Sequence, residues 1–167
     1  CRLFPGGLFT MRPEQILSKK ISMESFSLQD MEWILSTFQL VSYGAGQCLT
    51  QQGEFVETIG LVGSGSIVLV MERPEGEKVR FGALESGDCL IDPGLMSSGR
   101  AIASAYSESP VEFYAQELAD YWRMVATYPQ IRQMVQNHAM TQLLKALETA
   151  NGGARECLPG ENTQKDI

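Results

Sequence analysis

Regularly placed glycines divide the middle of the chain into short apolar segments. Eleven of the sixteen glycines fall between Gly44 and Gly99, and apolar runs such as TIGLV, SIVLVM, KVRFGAL and VEFYA stand among them. Closely spaced short strands with glycine-rich corners are typical of an antiparallel sandwich, jelly roll or barrel. The stretch MERPEGEK between two of these runs predicts a hairpin connection. Residues 41–115 are therefore predicted to form a compact antiparallel β structure.

Helical patterns flank this β region on both sides. Ser27 and Asp30 form an S-x-x-D capping pattern at the start of a predicted helix over 27–38. The apolar face of that helix is predicted to consist of Leu28, Met31, Leu35 and Phe38. A second helix is predicted over 117–127. Pro129 suits the first turn of a third helix, which runs to Thr149, because its missing N–H loses nothing there.

These elements predict one domain. A chain of 167 residues can bury a substantial core but has little room for a second full domain. We expect an N-terminal tail and helical lead-in over 1–26 and the folded domain over 27–150. A flexible tail is expected over 151–167, where apolar residues are few.

Composition and charge narrow the function classes. The formal net charge is −7 and the sequence pI about 4.7, so a broad basic face is not expected and we predict no direct binding of nucleic acid by this chain. No apolar run approaches the roughly 18 residues that a membrane span needs, so we predict no membrane contact. The four cysteines lack CxxC or CxH spacing, which predicts no metal site and favours reduced thiols in a cytoplasmic protein.

No sequence motif supports catalysis. The chain has a single histidine, and it contains no G-x-S-x-G, no P-loop and no pattern that pairs a nucleophile with a base. The protein is therefore predicted not to be an enzyme.

Several glycine landmarks follow one another in an order that resembles a known family. They are Gly46 and Gly53 in YGAGQCLTQQGE, the G-x-[IV] corner from Gly65 to Ile67, and the Gly87–Asp88 pair, which precedes GRAIAS. With the flanking helices, residues 28–135 are similar to the cyclic-nucleotide-binding domain family of catabolite-activator-type regulators, kinase regulatory subunits and gated channels. This resemblance implies a mainly β fold: an antiparallel β-roll of the jelly-roll (double-stranded β-helix) class, with an N-terminal helix and C-terminal lid helices.

The stretch GDCLIDPGLMSSGRAIAS resembles the phosphate-binding cassette of that family, in which a Gly-Glu pair, one helical turn and an arginine hold the cyclic phosphate and ribose. By resemblance Arg100 stands at the phosphate arginine, Asp92 at the glutamate and Ile91 at the preceding glycine. A surface notch is then expected to place the Arg100 guanidinium beside the exposed amides of a one-turn helix. The ligand-binding residues that the resemblance implies are Ile91, Asp92, Gly94, Leu95, Ser98, Arg100 and Ala101.

Structural alternatives exist for the polar residues. Arg100 could form an ion pair with Asp92 or Asp88 that only holds the loop. Asp92, which precedes Pro93, could instead be the N-cap of the helical turn. His138 on the lid helix could contact a bound base or be an ordinary, partly exposed helix residue.

Three functions are consistent with these patterns. In the first, the domain is a regulatory sensor with no cofactor: a small anionic effector, by resemblance cAMP or cGMP, binds and the C-terminal helix closes over it to act on a protein partner or output domain. In the second, ligand binding has been lost and the domain is an interaction or dimerisation module that pairs through the same helix. In the third, the chain is the effector part of a transcription regulator. A complete regulator is not expected, because the seventeen residues after Ala150 are too few for a helix-turn-helix.

Overall fold

The computed structural model describes residues 2–3 and 9–151 of the chain. Its helices are α1 (Pro13–Lys20), α2 (Leu28–Ser36), α3 (Leu118–Thr127) and α4 (Pro129–Ala150), and a 3₁₀ turn spans Pro93–Met96. Its strands are β1 (Arg2–Leu3), β2 (Phe9–Thr10), β3 (Phe38–Tyr43), β4 (Cys48–Thr50), β5 (Ile59–Ser64), β6 (Ile67–Glu72), β7 (Lys78–Leu84), β8 (Cys89–Leu90), β9 (Ser104–Ser107) and β10 (Val111–Gln116).

Two antiparallel four-stranded sheets make up the β region. One has the strand order β3-β10-β5-β8 and the other the order β4-β9-β6-β7. Alternate residues of both sheets meet in one apolar cluster, in which Val62 and Phe113 of the first sheet lie with Ile67 and Leu69 of the second. Side chains alternate between the two faces of a strand, so each sheet contributes every second residue to this core. The predicted antiparallel β-roll is confirmed.

The corner between β5 and β6 explains one of the glycine landmarks. Gly65 has a φ of +88°, a backbone conformation that side chains with a Cβ rarely adopt. A Cβ at this position would also clash with the carbonyl oxygen of Pro110, which precedes β10. Only glycine therefore allows the chain to reverse here while β10 remains paired against β5.

The helices confirm the predicted capping signals and correct one predicted face. Ser27 caps α2, since its hydroxyl accepts a hydrogen bond from the Asp30 N–H at 3.0 Å. The predicted apolar face is partly wrong: Ile34 is the buried residue of α2, and Leu28 is 85% exposed. The helix ends at Ser36, and Phe38 begins β3. Including Phe38 in the helical periodicity therefore assigned the wrong residues to the buried face.

A second apolar cluster joins the helices to the roll. It contains Ile16 and Leu17 of α1, Tyr121 of α3, and Ile131 and Val135 of α4. Helix α4 begins at Pro129 as predicted and also contacts the 3₁₀ turn and β7. None of the helices in the described part of the chain is long and apolar enough to cross a membrane. The predicted flexible tail lies outside the described residues, apart from Asn151.

Candidate functional site

A cavity lies where α4 covers the roll next to the predicted cassette. Three parts of the chain line it: the inner faces of the strands, the segment from Cys89 to Pro93 with its continuation at Ile102 and Ala103, and the α4 residues His138 and Gln142. It offers about 20 Å³ to the centres of water-sized molecules, which is room for about one water. The wall is mainly apolar, with Leu69, Phe81 and Leu84 among its strand residues.

Asp92 is buried in the wall of this cavity, and the backbone occupies its carboxylate. Oδ1 accepts the Gly94 N–H at 2.7 Å, and both carboxylate oxygens accept the Ile102 N–H at 3.1 Å. Burial raises the pKa of Asp92, and backbone hydrogen bonds from Gly94, Ile102 and Ala103 oppose that rise. Asp92 is the N-cap of the 3₁₀ turn, which confirms the capping alternative.

The amides of the 3₁₀ turn have partners inside the protein. Pro93 has no N–H, Gly94 donates to the Asp92 side chain, and the Leu95 N–H donates to Asp92 O at 3.1 Å. A Cβ on Gly94 would clash with the carbonyl oxygen of Arg100, so the loop passes directly over this glycine. The expected exposed amides beside Arg100 are thus engaged by Asp92 in this structure.

Arg100 lies on the outside of the loop. Its Nη1 donates to Gly53 O at 2.9 Å, and its guanidinium lies 4.2 Å from the centroid of the Phe55 ring. Arg100 is exposed and does not line the cavity. Among the described residues it forms no ion pair with Asp88 or Asp92, because the Asp92 carboxylate faces backbone amides instead.

The structure separates the seven predicted ligand residues into two groups. Ile91 and Asp92 line the cavity, and the other five do not. Leu95 is buried in the helical core cluster, Ser98 accepts the Arg100 N–H at 3.2 Å, and the Ala101 N–H donates to Glu54 O at 2.8 Å. Ligand contact by Ile91, Asp92, Gly94, Leu95, Ser98, Arg100 and Ala101 stays a prediction.

His138 and Cys89 form a polar contact at the cavity that the prediction of site residues did not include. His138 Nδ1 lies 3.7 Å from Cys89 Sγ. Burial lowers the pKa of His138; Lys20 and Lys145 lower it further, and Asp88 opposes them. Burial likewise raises the pKa of Cys89, so both groups favour their neutral forms. The sequence contained a signal for the inward position of His138, because His138 lies on the same helical face as Ile131 and Val135.

The sequence profile described as "Cyclic nucleotide-binding domain" matches residues 40–128, which is more than half of the chain. The chain belongs to the cyclic nucleotide-binding domain family. The matched region begins in β3 and ends just after α3, and it contains residues 89–93 and 102–103, which line the cavity.

Relatives of this cyclic nucleotide-binding domain include a curated transcription factor and two solved structures. The cAMP-activated global transcriptional regulator CRP of Salmonella typhimurium is 26% identical over 106 residues, covering 64% of this chain and 46% of the relative. The chain thus spans about half the length of that relative. The Thermus thermophilus catabolite activator protein superposes with a TM-score of 0.64 at 22% identity, covering 77% of this chain and 60% of that one. The sensor domain of the transcriptional regulator DNR from Pseudomonas aeruginosa gives 0.63 at 18% identity, covering 81% and 91%.

These relatives correct one expectation drawn from charge. The prediction that this chain does not bind nucleic acid directly is wrong, because the relatives that it matches are named as transcriptional regulators. The net charge of −7 is a sum over the whole sequence, and such a sum does not exclude a local surface that contacts nucleic acid.

Acidification is expected to destabilise the domain through His138. Its folded pKa lies below the ordinary value of 6.5, so between these two values the unfolded chain binds more protons and the free energy of unfolding falls as the pH drops. Thermal melts of the wild type between pH 7 and 5 should show a larger decrease in Tm than melts of H138Q.

Asp92 titrates with the opposite sign, since its raised pKa stabilises the folded state as the pH falls, but it is present in both proteins and cancels in the comparison. Equal decreases in Tm for wild type and H138Q would contradict this account of His138.

Proposed function

We propose that this domain is a regulatory sensor rather than an enzyme, and that a small-molecule effector binds in the cavity between the roll and α4. The effector class that the family supports is a cyclic nucleotide, cAMP or cGMP. The observation that carries the proposal is the composition of the cavity wall. Cassette residues Ile91 and Asp92 form one side, and His138 and Gln142 of α4 form the other.

The size of the cavity supports coupling between binding and movement. Room for about one water is far too little for a nucleotide, so an effector can enter only if part of the wall moves. His138 and Gln142 are four residues apart on one helical face, so a displacement of α4 moves both together. An effector that binds the opened state better than the closed one therefore shifts the position of α4.

Arg100 is available to such an effector at small cost. Its present contacts are one hydrogen bond to Gly53 O and an exposed cation–π contact with Phe55, each of which is weak at a solvated position. Its guanidinium fork can hold two phosphate oxygens once the side chain rotates.

The far end of α4 is attached to the β6–β7 hairpin. Arg73 is buried, and its Nε and Nη2 donate to Thr149 O at 3.0 and 2.7 Å, while Nη1 contacts Glu77 Oε2 at 2.7 Å. Thr149 and Ala146 are themselves buried. Arginine at a helix C-terminus satisfies carbonyls that have no partner within the helix and complements the helix dipole. A shift of α4 would strain or break this attachment, which makes the hairpin a second point that senses helix position.

The relatives also indicate an output and a location for the proposed sensor. Relatives named as transcriptional regulators support an output on transcription, and an output on bacterial genes would place the domain in the cytoplasm.

The effector proposal predicts a specific loss of affinity when Arg100 is neutralised. Isothermal titration calorimetry with cAMP and cGMP should detect binding to the wild type, and R100Q should weaken it by at least about tenfold because a charge-assisted hydrogen bond to phosphate is lost. R123Q is the matched control. Arg123 is also exposed, and its guanidinium lies 4.8 Å from the Trp33 ring centroid, far from the cassette in sequence. The affinity of R123Q for the nucleotides should therefore stay within about twofold of wild type.

Absence of heat with either nucleotide at millimolar concentration would exclude a cyclic nucleotide as the effector. Equal losses in R100Q and R123Q would point to a general charge effect rather than a phosphate contact at the cassette.

Hydrogen exchange measures the attachment of α4. R73Q should increase amide exchange in the last two turns of α4 by about tenfold, because buried charge-assisted hydrogen bonds to Thr149 O are removed. R80Q, which breaks the more exposed Arg80–Glu108 ion pair at 3.0 Å, should leave exchange in α4 unchanged. Protection of α4 that is the same in R73Q and wild type would show that the hairpin does not hold the helix.

A second function is favoured by an apolar stripe on α4. Four large apolar side chains are exposed on consecutive turns of the helix: Met140, Leu143, Leu144 and Leu147. Such a stripe is typical of a helix that packs against a partner. In this interpretation the closed cavity binds no effector and the domain pairs with a second copy of itself through α4.

Light scattering separates the two functions when combined with the calorimetry. A dimerisation module should give twice the chain mass of 18.4 kDa without ligand, and L144E/L147E should be monomeric, whereas Q136E on the same helix should not change the mass. A monomeric wild type at high concentration would contradict this second function.

A further inference from the structure

Two buried hydroxyls lack hydrogen-bond partners among the residues that the structure describes. They are Thr50 Oγ1 and Tyr121 Oη. Thr50 is 8% exposed, so bulk solvent has little access to it. A buried polar group without a partner is destabilising, and native proteins retain few of them, so each one calls for an explanation.

The two hydroxyls differ in their surroundings. Thr50 ends β4 and lines the cavity between the roll and α4. Tyr121 lies in the helical core cluster and is not among the residues that line the cavity. A ligand in the cavity could therefore form a hydrogen bond with the Thr50 hydroxyl. The Tyr121 hydroxyl is surrounded only by the packed core.

The rest of the cavity wall restricts what could meet the Thr50 hydroxyl. The strand residues beside it are apolar, including Leu69, Phe81 and Leu84, and no lysine or arginine lines the cavity. The Asp92 carboxylate is already bonded to the Gly94 and Ile102 amides. An anionic group placed here would be buried without a cation and beside a carboxylate, which is costly. A flat, uncharged ring with a polar edge would fill the apolar wall and also satisfy the hydroxyl.

We propose that Thr50 is a specificity-determining residue of the effector site, whose hydroxyl forms a hydrogen bond with the uncharged heteroaromatic ring of the effector. This inference rests on the proposed sensor function and adds to it the orientation of the ligand: the ring faces β4, and the charged part stays outside this wall. A ligand whose ring lacks a hydrogen-bonding edge should bind more weakly, because the Thr50 hydroxyl then remains unpaired in the complex.

The variant T50V tests the proposal, because it replaces the hydroxyl with a methyl group and keeps the branched shape. Without ligand, T50V should raise Tm by about 2 to 4 °C, as expected when a buried unpaired polar group is removed from a domain of this size. With cAMP or cGMP, T50V should bind about tenfold more weakly than wild type in calorimetry.

Y121F is the matched control. It removes the other unpaired hydroxyl, so it should raise Tm by a similar amount, but its affinity for the nucleotides should stay within about twofold of wild type. We expect both variants to gain stability and only T50V to lose affinity. A purely structural role for Thr50 would not produce this difference in affinity.

Adenosine and guanosine, which carry the ring without the phosphate, separate this inference from the proposed function. If cyclic nucleotides fail to bind wild type but a nucleoside raises its Tm and not that of T50V, the ring contact stands and the cyclic-nucleotide proposal fails. If the cyclic nucleotides bind wild type and T50V equally well, the sensor function stands and the inference is wrong. Absence of binding by all four probes overturns both, and a lower Tm for ligand-free T50V overturns the inference by showing that the hydroxyl is already satisfied.

Discussion

The arrangement of the candidate site depends on the buried carboxylate of Asp92. By accepting the Gly94 and Ile102 amides, it ties the beginning of the cassette loop to its end, ten residues later. Burying a carboxylate is costly unless it is hydrogen-bonded. The loop therefore has to bring amides from both of its ends to Asp92. The loop between these anchors carries Arg100, whose backbone passes over Gly94 and whose side chain is turned outward to Gly53 and Phe55. The residue that resembles a ligand contact is thus also the one that organises the loop.

The second determinant of the site is helix α4, which is held against the roll along its length. Ile131 and Val135 are fully buried near its start, His138 meets Cys89 at the cavity, and Arg73 binds the Thr149 carbonyl at its end. Apolar burial and a charge-assisted hydrogen bond thus hold the same helix at several points along its length. The small cavity and the attached helix are two aspects of one closed state, and the proposed function is a shift away from it.

The fold could be predicted from sequence because its signals are local. Gly65 requires a positive φ, Ser27 and Asp30 cap one helix, Pro129 opens another, and apolar residues alternate in the strands. Of the predicted ligand residues only Ile91 and Asp92 line the cavity, so the sequence indicated part of its wall and not the rest. The contribution of Thr50 was not predictable, because a threonine at the end of a strand resembles any other until its neighbours are known. Nor was the exposure of Leu28, which depends on which side of α2 packs against the rest of the protein.

By itself the sequence determined the class of the fold and the order of N-terminal helix, β-roll and C-terminal helices, because backbone conformation and hydrophobic alternation are encoded within a few neighbouring residues. Tertiary structure alone decided which side chains meet. Arg100 and Gly53 are 47 residues apart, Cys89 and His138 are 49 apart, and Arg73 and Thr149 are 76 apart. Such contacts depend on how sheets and helices pack, and packing sums weak, non-directional contributions over the whole core that no local pattern contains.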